Sequence, residues 1–158
     1  MRLGVLSDLH ANLPALEAAL EVLRAEGVDE VLVLGDLVGY GPHPRQVIHK
    51  VWKEGLAAIA GAWDLRVAYP FPEPLPEGVG KATLEWTRAQ LGEKELAYLR
   101  SLRLSHRRAY GGRRLVAFHG MPGDPEARPD LLGEAKAFLA LLERYGAEVL
   151  LLGGGTCP

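Results

Sequence analysis

Two short apolar segments, each closely followed by an aspartate and separated by a helical pattern, constrain the fold of this chain most. The first covers residues 3–6 and precedes Asp8; the second covers residues 31–34 and precedes Asp36. Between them, apolar residues recur at helical spacing over residues 14–25, with Pro14 suited to a first helical turn. A strand, a helix and a strand in this order predict a β-α-β unit with parallel strands and a right-handed crossover.

The rest of the sequence continues the α/β pattern. A diglycine at residues 111–112 separates two runs, 102–110 and 113–118, and predicts an antiparallel hairpin. Residues 69–76 contain four prolines and predict a loop. The other segments are predicted helices at residues 44–53, 81–91, 93–102 and 132–145, and predicted strands at 56–60 and 149–152.

Length and composition narrow the class of protein. With 158 residues we expect one domain over residues 1–158, large enough to bury a core without disulfides. The net charge of -2 gives no electrostatic case for nucleic-acid binding, and no apolar run approaches a membrane span. The single cysteine, Cys157, favours a cytoplasmic location. Scarce asparagine and many prolines hint at a thermophile.

Chemically active side chains follow the predicted strands. Asp8 and His10 follow the first strand, and Asp36 follows the second. The later strands are followed by Trp63, Asp64 and His119. Three of the six aspartates of the chain therefore follow strand ends. Ligands of parallel α/β sheets bind beyond the carboxyl ends of the strands, where these side chains converge. Carboxylates and imidazoles at one edge are suited to divalent cations. Each aspartate alone also suits a helix cap or a turn, and the cation hypothesis depends on the set.

Other polar residues are less informative. Five arginines crowd the predicted hairpin, which fits a solvated or edge-blocking surface better than a phosphate-attracting one. We interpret His43, His49 and His106 as surface or capping residues. Loop residues that could reach the same edge, although no spacing argument selects them, are Tyr40, Asp124 and Arg128.

Four segments together resemble the successive motifs of the calcineurin-like metallophosphoesterases, and most closely their small bacterial phosphodiesterase-like branch. They are Ser-Asp-Leu-His-Ala-Asn at residues 7–12, Leu-Gly-Asp-Leu-Val-Gly-Tyr-Gly-Pro at 34–42, Gly-Ala-Trp-Asp at 61–64 and Phe-His-Gly at 118–120. The first two motifs are highly specific in combination, and the resemblance extends over essentially the whole chain.

The resemblance implies an α/β sandwich of mixed sheets flanked by helices, and a site with two metal ions bridged by an aspartate and a hydroxide. By motif position, Asp8 and His10 would bind the first ion, Asp36 would bridge both ions and His119 would bind the second. The ions would be manganese, iron, zinc or similar divalent metals. The implied substrate is a small phosphomonoester or phosphodiester, with no requirement for nucleic acid or a membrane.

The third and last motifs depart from the family pattern. The family has Asn and His where this chain has Ala62 and Trp63, and a methyl group or an indole can neither bind a metal nor transfer a proton as imidazole does. The family also has two histidines in its last motif, where this chain has Gly155 and Cys157. Counting the remaining ligands, we expect one ion, with two as the alternative, and Cys157 as either a thiolate ligand or a frayed terminal residue.

The chain is also short for this family, whose members normally continue with strands that complete the second sheet. We therefore expect the C-terminal strands to be missing and the open sheet edge to be covered by a homo-oligomer or another partner chain. The functional hypotheses are a metal-dependent phosphoesterase, with either full or impaired activity, and a catalytically inactive descendant with a binding or regulatory role. A plain nucleotide-binding domain is disfavoured because the first loop lacks the necessary glycines.

Overall fold

The part of the chain described by the structure, a computed structural model, comprises residues 1–69, 79–127 and 135–154, and forms two three-stranded sheets and six helices. The elements in chain order are β1 (Leu3–Leu6), α1 (Leu13–Ala25), β2 (Glu30–Val33), α2 (Pro44–Lys53), β3 (Ala57–Ala58), α3 (Ala62–Ala68), α4 (Val79–Ala89), α5 (Glu93–Ser101), β4 (Ser105–Tyr110), β5 (Arg113–His119), α6 (Ala135–Tyr145) and β6 (Val149–Gly153).

Both predicted pairing patterns are confirmed. In the first sheet β1, β2 and β3 are adjacent in that order and all parallel, so β1-α1-β2 is the expected β-α-β unit. In the second sheet β4 and β5 form the antiparallel hairpin around Gly111 and Gly112, and β6 pairs parallel to β5. Because β1, β2 and β3 are parallel, their carboxyl ends lie at one edge of the first sheet.

The two faces of β2 explain the layers. Val31 and Val33 pack with apolar residues of the helices α1, α2, α3 and α5, whereas Leu32 and Leu34 belong to a cluster with Leu115 and other residues of the second sheet. Successive side chains of a strand alternate between faces, so one apolar strand contacts helices on one side and a sheet on the other. The result is the predicted α/β sandwich with mixed strand directions.

Most helix boundaries follow local signals. The side chain of Asn12 accepts a hydrogen bond from the Ala15 amide at 3.1 Å and caps α1, whose first turn contains Pro14. The side-chain acceptor pairs one amide of the first turn, and the proline, which has no N–H, removes another unpaired donor. The predicted start of α6 at residue 132 and the proline-rich loop at 70–76 lie outside the described residues.

The prediction for residues 56–68 differs from the structure in the length of the strand and in a helix that it lacks. The strand predicted over residues 56–60 is limited to Ala57–Ala58, because Ile59 pairs with Arg103 in a bridge and the Ala60 amide donates to the Arg103 carbonyl at 2.8 Å. Residues 61–64 follow this strand as predicted, but they begin helix α3, which the sequence does not predict. The chain leaves the first sheet here, and this departure positions the residues of α3 beside the strand ends.

The arginine-rich hairpin is a surface stabilised by ion pairs. Arg108 pairs with Glu30 through hydrogen bonds of 2.6 and 3.0 Å, and Arg113 and Arg114 lie near Glu148. These contacts agree with the solvated, edge-blocking interpretation. Strand β6 is at the outer edge of its sheet within the described residues, and covering of this edge by another chain stays a prediction. Among the described residues, no helix is long and apolar enough to cross a membrane.

A buried carboxylate on α5 gives a prediction about stability and pH. Glu95 accepts hydrogen bonds from His49 Nε2 at 2.7 Å and from the Gly92 amide at 2.8 Å. The hydrogen bond from His49 is the main cause that lowers the pKa of Glu95 below its ordinary 4.5. We expect Glu95→Gln to lower the free energy of unfolding at pH 7 by about 1 kcal/mol, because it weakens the cap of α5 and the hydrogen bond with His49.

The pH dependence distinguishes this pair from a general packing defect. A carboxylate with a lowered pKa in the folded state contributes stability above its unfolded pKa, and the contribution is lost as pH falls. The difference between wild type and Glu95→Gln should therefore shrink between about pH 5 and pH 3 in urea unfolding. Glu93→Gln, on the exposed side of the same first turn, is the control and should show little change. A pH-independent difference for Glu95→Gln would contradict this assignment.

Candidate metal centre

Backbone hydrogen bonds hold the loops after β1 and β2 together. The amides of Asp8, His10 and Ala11 donate to the carbonyls of Gly35, Asp36 and Leu37 at 3.0, 2.8 and 2.9 Å. These bonds continue the pairing of β1 with β2 beyond the strands. They bring the side chains of the two loops to one place at the edge of the first sheet, as the sequence predicts for parallel strands.

The same loops contain an unusual concentration of backbone strain. Five residues other than glycine have positive φ in the described chain, and all of them lie in these loops: Asp8, His10, Ala11, Asp36 and Tyr40, with φ from 42° to 58°. Such a conformation costs about 1 kcal/mol or more per residue and persists only where surrounding contacts impose it. The fold therefore stabilises a strained backbone that sets the directions of these side chains.

Asp36 is the central residue of the cluster and is buried. Its Oδ1 atom accepts a hydrogen bond from the Trp63 amide at 2.8 Å, while Oδ2 lies 3.7 Å from His10 Nε2 and 3.4 Å from His119 Nε2. Gly61 permits this position, because a Cβ there would meet Asp36 Oδ1 at 2.3 Å. One carboxylate oxygen is thus anchored to the backbone, and the other is shared by two imidazoles.

The two imidazoles are oriented in the same way. His119 Nδ1 lies 2.6 Å from the Leu34 carbonyl, and His10 Nδ1 lies 3.3 Å from the Val38 carbonyl. Since a carbonyl can only accept, Nδ1 is the donor in each contact, and the Nε2 atom of each ring faces Asp36. Metal-binding histidines are commonly oriented by such a hydrogen bond from their other ring nitrogen.

Asp8 completes the group. Its Oδ2 atom accepts from the Ser7 hydroxyl at 2.5 Å and from the Gly154 amide at 3.2 Å, while Oδ1 lies 3.8 Å from His10 Nε2. Ligand atoms of Asp8, His10 and Asp36 all lie within 4.8 Å of one another, and in the described chain this is the one such group of three. The structure therefore brings together all four residues predicted from sequence, with His119 in contact through Asp36.

The donor set fits a divalent cation. Around an ion with bonds of about 2.1 Å, neighbouring donors lie roughly 3.0–3.5 Å apart. The two distances from His10 Nε2 are 3.7 and 3.8 Å and all three ligand atoms lie within 4.8 Å of one another, so binding requires an inward shift of these side chains. Two carboxylates and two imidazoles suit manganese, iron or zinc better than calcium, which prefers oxygen. Burial lowers the pKa of His119, but the adjacent Asp36 and the Leu34 carbonyl raise it overall, so a proton and a cation compete for this position.

Asp64 is not part of this group, although the sequence predicts its convergence with the other residues that follow strand ends. Its side chain is fully buried and accepts hydrogen bonds from the Gly61 amide at 2.9 Å and the Val38 amide at 3.2 Å. It is the third residue of α3, where a carboxylate reaches back to the helix start. Burial, and then the charge of Asp36, raises the pKa of Asp64 to about 7. Its contacts are those of a structural cap.

A cleft of about 280 Å³ opens beside the cluster, and it contains residues that the sequence did not single out. Arg66 and Glu126 line it and form an ion pair of 2.5 Å. Arg66 is three residues after Trp63 and shares its helix face, which the sequence would have indicated had α3 been predicted. Tyr40, Ala62 and Trp63 also line the cleft. The side chain of Asp124 instead accepts hydrogen bonds from the amides of Glu126 and Ala127 and so stabilises the loop that follows it.

The remaining histidines make structural contacts or lie at a helix start, and the C-terminal cysteine is not among the described residues. His49 pairs with Glu95, and His106 lies 2.8 Å from the Tyr110 hydroxyl, so both make structural contacts away from the cleft. His43 occupies the start of α2. Arg128 and Cys157 lie outside the described residues, so the thiolate hypothesis for Cys157 stays a prediction.

Comparison with protein families gives one extensive match. The model of the calcineurin-like phosphoesterase superfamily domain matches residues 1–153 of this chain. An uncharacterized protein from Methanocaldococcus jannaschii is 28% identical over 124 residues, which are 78% of this chain and 51% of that protein. The chain thus spans about half the length of this curated relative.

Two crystal structures extend the comparison. A hypothetical protein from Pyrococcus horikoshii OT3 is similar with a TM-score of 0.80 and 29% identity, covering 95% of this chain and 68% of that one. A metallophosphoesterase from Sphaerobacter thermophilus has a TM-score of 0.61 and 38% identity, covering 79% of this chain and 49% of the other. The architecture is therefore shared over most of the chain.

Proposed function

The chain belongs to the calcineurin-like phosphoesterase superfamily, and we propose that it hydrolyses phosphate esters with a divalent cation held by Asp8, His10 and Asp36. The observation that supports this most is the convergence of two oriented Nε2 atoms on one oxygen of buried Asp36. A structural ion pair would not require both rings to be anchored through Nδ1. The proposed location is the cytoplasm, on the basis of cysteine usage alone.

The residues that line the cleft have different proposed roles in binding the cation and the phosphate. Asp8, His10 and Asp36 bind the cation, and their hydrogen bonds to Ser7, Gly154, Val38 and Trp63 fix their orientation. When bound, a divalent cation neutralises phosphate charge and lowers the pKa of bound water. Arg66 contributes a guanidinium that can contact a phosphate oxygen, because its partner Glu126 is half-exposed and can turn away.

The number of side-chain ligands favours one ion over two at this site. Three side chains plus water can hold one catalytic ion, whereas Asp36 and His119 alone offer only two ligands to a second. Ala62 lines the cleft where the family resemblance implies an asparagine ligand, and a methyl group donates no electron pair. We therefore propose one tightly held ion per chain.

Metal analysis checks this number. Protein reconstituted with manganese and passed through a desalting column should retain one ion per chain by elemental analysis. His10→Ala should reduce the retained ion to a small fraction, since a three-ligand site becomes a two-ligand site, while His119→Ala should retain it. Two ions per chain in the wild type, lowered to one in His119→Ala, would contradict the single-ion proposal.

A non-catalytic role is the alternative function, and Trp63 is the observation that favours it. The indole lines the cleft where the family resemblance implies a histidine that assists the leaving group. Loss of such a group typically costs roughly 10²–10⁴-fold in rate. Assays of a generic phosphodiester and a generic phosphomonoester with manganese separate the two proposals, because the alternative predicts bound metal without hydrolysis of either.

A further inference from the structure

Tyr40 is exposed to an unusual degree for a ring beside a buried polar cluster. Its relative exposure is 57%, yet it lines the cleft together with Asp8, His10 and Asp36. Its ring centroid is 4.5 Å from that of Trp63 and 4.9 Å from that of His10. One part of the ring is thus in contact with the site while much of it remains open to a ligand.

The position of the Tyr40 ring depends on a strained backbone conformation. Tyr40 has φ of 58°, in the left-handed region that an aromatic residue rarely adopts. Its neighbours fix the turn, because the Gly41 amide donates to the His10 carbonyl at 2.9 Å and a Cβ at Gly39 would strike the Trp63 ring at 2.9 Å. Strain maintained at an exposed ring indicates a position selected for contact rather than for core packing.

Trp63, which is itself largely buried, supports the Tyr40 ring from behind, and Arg66 lies next to Trp63. The guanidinium carbon of Arg66 lies 5.8 Å from the Trp63 ring centroid, and both residues line the same cleft. We call Tyr40, Trp63 and Arg66 the aromatic wall. Aromatic rings and a guanidinium plane are the groups that proteins use to stack planar rings of ligands.

We propose that the aromatic wall is a stacking subsite for phosphate esters that carry a planar aromatic group, either a nucleobase or an aryl ring. The phosphate would lie at Asp8, His10 and Asp36 and the ring against Tyr40, which is adjacent to His10. This inference rests on the proposed function, since it places the phosphate at the cation. It names Tyr40 as the residue that selects among phosphate esters.

The test compares three ligands in calorimetric binding to manganese-loaded protein: adenosine 5′-monophosphate, phenyl phosphate and ribose 5-phosphate, which lacks a planar ring. We expect one or both ring-bearing ligands to bind at least about tenfold more tightly than ribose 5-phosphate, in line with stacking energies. Preference for the adenine compound alone identifies a nucleobase subsite, and preference for phenyl phosphate an aryl subsite.

Variants of Tyr40 localise the effect. Tyr40→Ala keeps a Cβ at the strained backbone position and should weaken binding of the ring-bearing ligands at least about tenfold more than binding of ribose 5-phosphate, so that the preference is lost. Tyr40→Phe should retain the preference. Trp52→Ala removes an exposed aromatic residue of α2 outside the cleft and is the control. Equal affinity of the wild type for all three ligands, or equal weakening of all three by Tyr40→Ala, would overturn the stacking subsite but not the proposed function. Failure to bind any of them overturns the proposed function as well.

Discussion

Asp36→Asn is expected to lower phosphodiester hydrolysis by roughly 10³-fold or more, because charge stabilisation of several kcal/mol is lost with the cation. The substitution places an amide where Oδ2 now faces His10 Nε2 and His119 Nε2. An amide nitrogen donates hydrogen bonds and offers no lone pair to a metal. Manganese retention, measured on the same preparation, should fall together with the rate.

The variant is chosen so that folding is preserved. Asparagine tolerates the positive φ of 53° at this position, and its carbonyl can still accept from the Trp63 amide. Removal of a buried charge that repels Asp64 should leave the metal-free protein at least as stable as the wild type. Asp29→Asn, an exposed aspartate outside the cleft, is the charge-matched control. A hydrolysis rate within threefold of the wild type, roughly 0.6 kcal/mol, would contradict the role of Asp36.

Asp64→Ala has the largest expected effect on stability. It leaves the Gly61 and Val38 amides without their acceptor in a position with no solvent access. Each unsatisfied buried donor costs about 1–3 kcal/mol, so we expect a loss of about 2–6 kcal/mol in the free energy of unfolding. Urea unfolding of metal-free protein at pH 7 measures this loss. The free energy of unfolding of Asp64→Asn should lie between those of the wild type and Asp64→Ala, because the single carbonyl oxygen of the amide can accept only one of the two hydrogen bonds.

Asp29→Ala provides the comparison for this loss. Asp29 also accepts a backbone hydrogen bond, from the Arg2 amide, but in an exposed position. Water can replace that acceptor, so its removal should cost no more than about 1 kcal/mol. If Asp64→Ala were no more destabilised than Asp29→Ala, the capping role of Asp64 would be wrong, and the residue would have to be reconsidered as part of the metal centre.

The convergence of Asp8, His10 and Asp36 could be predicted because it depends on topology, whereas the place of His119, on β5 of the second sheet, is implied by the family resemblance. Parallel strands end at one edge, so residues just after them are brought together whatever the details of packing. The hairpin around Gly111 and the β-α-β unit are likewise determined by local pattern.

Helix α3 was missed for a physical reason. Its start has glycine instead of a side-chain cap, and the capping carboxylate of Asp64 comes from within the helix. A sequence pattern that seeks serine, threonine, aspartate or asparagine before the helix overlooks this arrangement. Without α3, neither the burial of Asp64 nor the position of Arg66 beside Trp63 could be inferred.

The central claim is tested most directly by the metal dependence of hydrolysis. Protein treated with chelator should not hydrolyse bis(p-nitrophenyl) phosphate, and added manganese should restore hydrolysis until about one ion per chain is bound, as the single three-ligand group predicts. Hydrolysis that is unaffected by chelator and manganese would contradict the account. Saturable manganese binding with no hydrolysis of a diester or a monoester would contradict the enzymatic proposal and favour the binding role.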